Sequence, residues 1–193
     1  MKNFFKNLFS SDKSINTCLH PGIFVVKNLM DAAECKTLVD RIEASGFKKA
    51  RQFEEGRHNK ETFMMDNQLA TDIVGRLQQL KFSCDNKLFR VVDITRPLEF
   101  YKYDASDFIK VHSDAAREVT PGKMSSHTLV LYLNGDMEGG ETFFSKLNVK
   151  IKPGVGNGVL FKQEHDHAGS LVTKGNKYIL RCACLTEKVA GGK

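Results

Sequence analysis

The sequence has no apolar run that approaches the roughly 18 residues of a membrane-spanning helix, so no such span is expected. It also lacks the continuous apolar stretch of a signal peptide, because Lys6 and Asn7 interrupt the apolar residues of segment 1–10. This segment is compatible with a small amphipathic membrane-surface element, but a frayed terminus or a turn packed on the domain is the preferred interpretation. Residues 1–20 are therefore expected to be an N-terminal extension.

Cysteine is scarce and its pattern excludes two kinds of site. The five cysteines are odd in number and form no CxxC motif, so neither a disulfide framework nor a zinc site is predicted. Cys182 and Cys184 are two residues apart and point to the same face of a predicted strand. Buried free thiols in a reducing cytoplasm are the expected state, and a cytoplasmic location follows from it.

No repeat, low-complexity linker or nucleotide-binding loop is visible. Segment 138–142 reads as a turn into a strand, and it lacks the Lys-Ser/Thr of a phosphate loop. The net charge of +6 is dispersed, and the clusters 48–51 and 57–60 are interpreted as a solvated basic face. Since arginines and aromatics do not alternate as in nucleic-acid modules, no nucleic-acid partner is expected.

The length of 193 residues fits one domain, which we place at residues 21–188. Its front, about 21–85, is expected to be helical after a first strand at 23–26. Asp31 and Glu34 form a capping box, apolar residues then recur at helical spacing, and Ser45-Gly46 ends the pattern. A second amphipathic helix is predicted over about 67–80.

The back of the domain, about 86–188, has β-rich runs separated by turn residues. Strands are predicted at 98–103, 108–112, 128–133, 141–144, 149–151, 158–161 and 177–185. Many short strands with such turns predict a jelly roll, the double-stranded β-helix of cupin-like proteins, with the N-terminal helices packed against it. The fold class is therefore α+β.

His112 and Asp114 are the most informative pair of residues in the chain. They are two apart near a predicted strand end, so both side chains lie on one face and can reach one metal. Two imidazoles and a carboxylate are the ligand set of a non-heme iron(II) site with open positions for substrate and oxygen. The second imidazole would come from His165 or His167, and spacing alone does not choose between them.

A cation on the last predicted strand suggests an acidic cosubstrate. Lys177 and Arg181 point to the same face, with Ile179 between them, and inward cations require an anion because unpaired buried charge is costly. Tyr103 and Tyr132 lie on neighbouring predicted strands, where their hydroxyls would donate to the same anion. An outward basic face, with both tyrosines as ordinary core aromatics, is the alternative.

With these residues in place, the chain resembles the prolyl 4-hydroxylase-type iron(II)/2-oxoglutarate dioxygenases. The resemblance covers most of the chain past residue 20 and is densest at 98–185. Individual pieces are weak, but their combination is specific to the family. The matching segments are 100–104, 112–114, 128–134, 138–143, 153 with 158–161, and 167–169 with 175–181.

The resemblance implies a set of site residues. The family has a glycine two residues after its second histidine, which selects His167 over His165, so that His112, Asp114 and His167 would bind Fe(II). It assigns Lys177 to the distal carboxylate of 2-oxoglutarate. It also implies cosubstrate-pocket positions for Tyr103, Tyr132, Thr128 and Arg181, and it favours hydroxylation because Asp114 stands where halogenating relatives have a small residue.

The resemblance is loosest on the substrate side, where only Arg57 and Asn59 match weakly. Expected cofactors are Fe(II), 2-oxoglutarate and O2, with ascorbate as a further candidate. The first hypothesis is hydroxylation of a prolyl or other residue in a peptide or protein. The alternatives are a free amino acid or other small metabolite as substrate, a metal-binding jelly roll without turnover, and nucleic-acid demethylation. The oligomeric state is left open.

Overall fold

Two α-helices and two main β-sheets build the domain in the computed structural model, which describes residues 15–50 and 56–189. Segment 1–10 and Arg51 lie outside these described residues, and so do the predictions made for them. In the described part, no helix is both long and apolar enough to cross a membrane.

The front of the chain mixes strands with the two helices. Its elements are β1 (Ile15–His20), β2 (Ile23–Lys27), α1 (Ala32–Ser45), β3 (Lys48–Lys49), β4 (Arg57–His58), β5 (Lys60–Met64), α2 (Asn67–Gln78) and β6 (Phe82–Cys84).

The remainder consists of strands and one short 3-10 helix at Ser145–Leu147. Its strands are β7 (Lys87–Ile94), β8 (Leu98–Tyr103), β9 (Phe108–His112), β10 (Glu118–Thr120), β11 (Lys123–Met124), β12 (His127–Tyr132), β13 (Glu138–Gly139), β14 (Thr142–Phe144), β15 (Val149–Ile151), β16 (Gly158–Lys162), β17 (His167–Gly169), β18 (Val172–Lys174) and β19 (Lys177–Lys188).

Both helices begin where their capping residues predict. The Asp31 carboxylate accepts a hydrogen bond from the Glu34 amide at 2.8 Å, and Glu34 accepts one from the Asp31 amide at 2.9 Å. Glu34 also pairs with Arg76 of α2, so the start of α1 is tied to the second helix. The α1 helix ends at Gly46, whose positive φ of 77° favours glycine.

The larger sheet has the order β1-β2-β16-β12-β19-β8-β5-β3, and β7 with β6 attaches to β19. The smaller sheet has the order β15-β14-β17-β9-β4. Every pairing between these strands is antiparallel, and two short ribbons, β10-β11 and β13-β18, lie apart from the two sheets. The two facing sheets form the predicted jelly roll.

The larger sheet is buried on both faces. Side chains of successive residues point to opposite sides of a strand, so β12 contributes residues to each face. On β12, Leu129 and Leu131 belong to an apolar cluster shared with both helices. Val130 and Tyr132 belong to a second cluster that contains residues of the smaller sheet. The helices therefore cover one face of the larger sheet, and the second face closes over the interior of the jelly roll.

The predicted fold class is confirmed, and the helices stand at the predicted places. The predicted first strand at 23–26 is present as β2. The rest of the front is less helical than expected, because it also contains β5, which pairs with β8 of the larger sheet. This strand is too short for the sequence pattern to reveal it. The strand β1 lies within the segment expected to be an extension, while the boundary of the domain stays a prediction.

The prediction that all cysteines are free thiols was wrong for two of them. Cys18 of β1 and Cys84 of β6 form a disulfide, with a sequence separation of 66 and their Cα atoms 6.2 Å apart. Their proximity depends on how β1 and β6 meet in space, which spacing does not show. Cys35, Cys182 and Cys184 are free and buried, as expected.

Candidate metal centre and cosubstrate cavity

Three potential metal ligands converge where the paired strands β9 and β17 of the smaller sheet end. His112 ends β9 and His167 begins β17, and the two residues are paired directly across these strands. Nε2 of His112 lies 3.9 Å from Oδ1 of Asp114, and Nε2 of His167 lies 3.9 Å from Oδ2 of the same carboxylate. One donor atom from each of the three residues lies within 4.8 Å of the others.

Both imidazoles are held in the orientation that a metal requires. Nδ1 of His112 lies 2.9 Å from the carbonyl oxygen of Lys110, and Nδ1 of His167 lies 3.0 Å from that of His165. A carbonyl oxygen can only accept, so each Nδ1 donates and each Nε2 keeps its lone pair toward the centre. The donor set of two imidazoles and one carboxylate fits Fe(II).

The carboxylate of Asp114 is fixed through both of its oxygens. Oδ2 accepts a hydrogen bond from the Thr128 hydroxyl at 2.6 Å, and Oδ1 lies 2.8 Å from Nη2 of Arg181. Burial by itself would raise the pKa of Asp114, but the charge of Arg181 and the hydrogen bond from Thr128 outweigh it and lower that pKa. Asp114 is therefore ionised and oriented before any metal binds.

The structure separates the two histidines that spacing left unresolved. Burial lowers the pKa of His167 to about 4, so its imidazole is neutral near pH 7. His165 points away from the centre, and its Nε2 lies 3.1 Å from the carbonyl oxygen of Pro21. The geometry thus brings His167, and not His165, together with Asp114.

Lys177 is a buried cation without an acidic partner within the described residues. Its ammonium donates to the carbonyl oxygen of Gly140 at 2.7 Å and lies 5.0 Å and 5.7 Å from the ring centres of Tyr103 and Tyr132. Burial lowers the pKa of Lys177 to about 8, against a weaker opposing effect of Glu141. This ammonium can accommodate an anion at little further desolvation cost.

A single cavity of about 490 Å³ connects the triad with Lys177. Its wall includes His112, Asp114 and His167 together with Tyr103 and Lys177. Its other polar or charged lining side chains are Arg57, Tyr101, Lys110, Ser113, Arg117, Thr142 and Arg181. The volume lies within the roughly 300–1,000 Å³ of small-molecule sites.

Three of the expected pocket residues contact neighbouring side chains of the site. Tyr132 is fully buried, and its hydroxyl is hydrogen-bonded to that of Thr142 at 2.6 Å. Thr128 reaches Asp114 but does not line the cavity. Arg181 lines the cavity while its guanidinium contacts Asp114 and Glu99. Direct cosubstrate contacts of these three residues stay predictions.

Arg57 and Asn59 occupy different environments at the substrate side. The Arg57 guanidinium lines the cavity, lies 4.5 Å from the Tyr101 ring centre, and donates from Nε to Asn59 Oδ1 at 2.6 Å. Asn59 is buried and does not line the cavity. Arg57 is therefore half-buried, so the interpretation of segment 57–60 as a solvated face was wrong at this residue.

Three cavity-side residues escaped the sequence analysis: Glu99, Tyr101 and Thr142. The signal for two of them was alternation, because Glu99, Tyr101 and Tyr103 share one face of β8. The strand β8 pairs with β19 in a register that places Glu99 opposite Arg181 and Tyr103 opposite Lys177. The short strand β14 gave no comparable signal for Thr142.

Gly169 has a packing reason for its position two residues after His167. A Cβ atom at Gly169 would lie 2.8 Å from Cγ2 of Ile109, on the neighbouring strand β9. The absence of a side chain lets β17 and β9 approach, which brings the two histidines together.

Comparison with known proteins identifies sequences that are similar to this chain. Residues 98–183 match the 2OG-Fe(II) oxygenase superfamily. A curated protein of Acanthamoeba polyphaga mimivirus named "Putative prolyl 4-hydroxylase" is 23% identical over 189 residues, covering 81% of this chain and 71% of the relative.

Solved prolyl hydroxylases share the fold. The viral collagen prolyl hydroxylase of Paramecium Bursaria Chlorella virus-1, solved with 2OG, is 20% identical with a TM-score of 0.58, covering 84% of this chain and 94% of its own. A Pseudomonas putida prolyl-4-hydroxylase is 19% identical with a TM-score of 0.62, covering 85% and 92%. A Trichoplax adhaerens prolyl hydroxylase, in complex with a hypoxia inducible factor peptide fragment, is 15% identical with a TM-score of 0.63, covering 85% and 83%.

Proposed function

We propose that the chain is a dioxygenase of the 2OG-Fe(II) type similar to prolyl 4-hydroxylases, and that it hydroxylates a prolyl or other residue in a peptide or protein. The reaction would convert 2-oxoglutarate to succinate and insert one oxygen atom of O2 into a C–H bond. The family implies Fe(II) and 2-oxoglutarate as cofactor and cosubstrate.

One observation carries the proposal: Lys177 is buried in the wall of the same cavity as the triad, and among the described residues it forms no ion pair with an acidic side chain. A buried ammonium without a counter-ion is costly, and burial already lowers its pKa. A dicarboxylate that reaches from the triad to Lys177 would supply the missing charge. Such a ligand matches 2-oxoglutarate, whose two carboxylates lie at opposite ends.

Each side chain has a defined task in this scheme. His112, Asp114 and His167 would hold Fe(II), which when bound supplies the activation of O2 and the oxidative decarboxylation of 2-oxoglutarate. Lys177 would hold the distal carboxylate and so fix the cosubstrate in one register. A charge-assisted hydrogen bond of this type contributes about 1.5–3 kcal/mol.

The shape of the cavity supports a substrate larger than the cavity itself. Its wall includes the exposed residues Lys110, Val111 and Arg117, so it opens to the protein surface beside the triad. One side chain of a peptide can enter there while the rest remains outside. The Trichoplax adhaerens neighbour, solved with a peptide, gives independent support for this substrate class.

Two further expectations concern an auxiliary reductant and the location of the protein. Ascorbate as an auxiliary reductant follows from the resemblance alone, and omission of ascorbate from the assay tests it. The buried free thiols predict a cytoplasmic location, whereas the Cys18–Cys84 disulfide does not favour it, because disulfides are rare in a reducing cytoplasm.

The decisive experiment incubates the purified protein with Fe(II), 2-oxoglutarate, O2 and panels of peptides and free amino acids. Mass spectrometry would detect products that gain one oxygen atom, and a separate assay would quantify succinate. Oxidised peptide products that require both Fe(II) and 2-oxoglutarate would support the proposal. Oxidised free amino acids without peptide products would instead establish a small-molecule hydroxylase.

Asp114→Ala is the matched inactive variant for this experiment. It removes the anionic ligand and should abolish succinate formation, because the two remaining imidazoles bind Fe(II) poorly. Succinate formation by Asp114→Ala at the wild-type rate would remove Asp114 from the metal site.

A further inference from the structure

Glu99 is a buried carboxylate that the proposed reaction does not use. Only 3% of the residue is exposed. Its Oε2 accepts hydrogen bonds from the Tyr101 hydroxyl at 2.6 Å and from Nη1 of Arg181 at 3.1 Å. Its Oε1 pairs with Arg117, which follows the triad residues of segment 112–114 along the chain. Glu99 is thus the centre of a charged network beside the metal site.

Strand register places this network. Arg181 of β19 stands directly opposite Glu99 of β8, in the same antiparallel pairing that sets Lys177 opposite Tyr103. The side chains of all four residues lie on the cavity face of the larger sheet. The register that creates the cosubstrate end of the cavity therefore also creates the Glu99–Arg181 pair.

Arg181 forms a bridge between two carboxylates. Nη1 faces Glu99, while Nη2 lies 2.8 Å from Oδ1 of Asp114. If Arg181 had Asp114 as its only counter-ion, the guanidinium would compete with a divalent cation for that carboxylate. Glu99 provides a second counter-ion, so the attraction between Arg181 and Asp114 is balanced.

We propose that Glu99 is a positioning residue for the metal centre, acting through Arg181: it neutralises the guanidinium, which then orients Asp114 without withdrawing its carboxylate from the metal. This inference rests on the proposed metal site. It also assigns Arg181 to the ligand carboxylate, whereas the resemblance had assigned it to the cosubstrate pocket.

A purely structural role is the competing explanation. Buried ion pairs often contribute no more stability than apolar pairs of similar size, so burial of Glu99 and Arg181 alone would say little. What distinguishes this pair is the direct ion pair between Arg181 and the expected metal ligand Asp114. A structural role predicts lost stability, and a positioning role predicts a change in metal affinity that depends on charge balance.

The test measures Mn(II) affinity by calorimetry with 2-oxoglutarate present and O2 excluded, so that no turnover is needed. Glu99→Gln keeps the shape of the side chain and removes its charge. It should weaken Mn(II) binding about ten- to a hundredfold, since one uncompensated positive charge then lies beside the site. Adding Arg181→Gln to that variant should restore affinity to within about threefold of wild type, because the net charge of the group Glu99, Asp114, Arg117 and Arg181 returns to its wild-type value and the Thr128 hydroxyl still orients Asp114.

Glu34→Gln is the matched control. It makes the same substitution in the Glu34–Arg76 ion pair, which lies between the two helices and does not line the cavity. Thermal unfolding of all variants accompanies the titrations. Glu34→Gln should lower stability and leave Mn(II) affinity unchanged.

The outcomes separate the two proposals. If the wild-type protein does not bind Mn(II), the metal site itself fails and this inference fails with it. If the wild type binds while Glu99→Gln binds equally well, or the double variant binds more weakly than Glu99→Gln, Glu99 has a structural role only. Should Glu99→Gln not fold, Arg181→Lys replaces it, because an ammonium does not bridge two carboxylates as a planar fork does, and unchanged affinity in that variant overturns the inference.

Discussion

Tyr103 and Lys177 lie opposite each other on β8 and β19, and the ammonium nitrogen of Lys177 is 5.0 Å from the centre of the Tyr103 ring. An aromatic face attracts a cation but does not neutralise it. The pair therefore stabilises a buried positive charge while leaving it able to bind an anion. Several properties of cosubstrate binding follow from this arrangement.

Replacement of Lys177 should affect cosubstrate binding before anything else. Lys177→Ala should raise the Michaelis constant for 2-oxoglutarate about ten- to a hundredfold, the value of one charge-assisted hydrogen bond. Metal affinity should change little, because the triad is untouched. Lys177→Arg should be partly active at best, since a planar fork does not replace a point ammonium. A strong rise with Arg181→Ala and none with Lys177→Ala would show that the anchor is misassigned.

The affinity for 2-oxoglutarate should fall as pH rises above about 8. Burial lowers the pKa of Lys177 to about 8 in the unliganded protein, whereas the carboxylate-bound form stays protonated. Binding at higher pH must therefore take up a proton, and the dissociation constant should increase up to about tenfold per pH unit. Calorimetry at pH 7 and pH 9 in buffers of different ionisation enthalpy would measure the uptake. An affinity independent of pH over this range would contradict the assignment.

The lowered pKa of Lys177 should also make the stability of the unliganded protein depend on pH. The unfolded chain has the ordinary lysine pKa of 10.5, so between about 8 and 10.5 it binds more protons than the folded state. The contribution of Lys177 to the free energy of unfolding therefore increases with pH in this window, by roughly 3 kcal/mol in all. Lys177→Met should abolish that increment in denaturant titrations.

The two histidines of segment 165–167 should respond differently to alanine. His167→Ala should lose nearly all succinate formation and Mn(II) binding, because it removes a ligand whose Nε2 faces Asp114. His165→Ala should retain most of both, since its ring contacts the Pro21 carbonyl. Equilibrium dialysis with Mn(II) gives a readout independent of turnover. Loss of binding in His165→Ala alone would place the last ligand strand two residues out of register.

Two glycine substitutions should have opposite effects on stability. Gly169→Ala should cost about 1–3 kcal/mol, because its Cβ would lie 2.8 Å from Ile109 Cγ2. Gly75 lies within α2 with nothing within 4 Å of its added Cβ, so Gly75→Ala should stabilise by about 0.5–1 kcal/mol. Thermal unfolding of both variants measures the difference. A neutral Gly169→Ala would show that β9 and β17 adjust freely.

The Cys18–Cys84 disulfide should contribute about 2–4 kcal/mol to the free energy of unfolding, chiefly by restricting the unfolded chain. A reducing agent should lower the melting temperature of the wild type. The double variant Cys18→Ser/Cys84→Ser should melt lower and show no response to the reducing agent. A wild type that ignores the reducing agent would mean that the two thiols are not joined in solution.

The sequence predicted the helices and strands that depend on residues close together in the chain. The Asp31 cap and Gly46 predicted the ends of α1, and β-rich runs bounded by turn residues predicted β8 and β9 to the residue. The pairing of Cys18 with Cys84 escaped, because it depends on contacts between segments far apart in sequence.

The candidate site shows the same division. His112 and Asp114 were recognisable because a two-residue spacing near a strand end places both side chains on the same side of the chain. Glu99 was not, since a single acidic residue on a strand is ordinarily solvent-facing. Its meaning appears only when β19 is known to pair with β8 and to place Arg181 opposite it.

The alternation along β12 has a consequence for substitutions in this strand. Leu129 and Leu131 belong to the cluster that contains the helices, while Val130 and Tyr132 belong to the cluster inside the jelly roll. Adjacent residues of one strand therefore belong to separate clusters. A substitution at Val130 changes the wall of the cavity and leaves the contacts of Leu129 and Leu131 in the helical cluster in place.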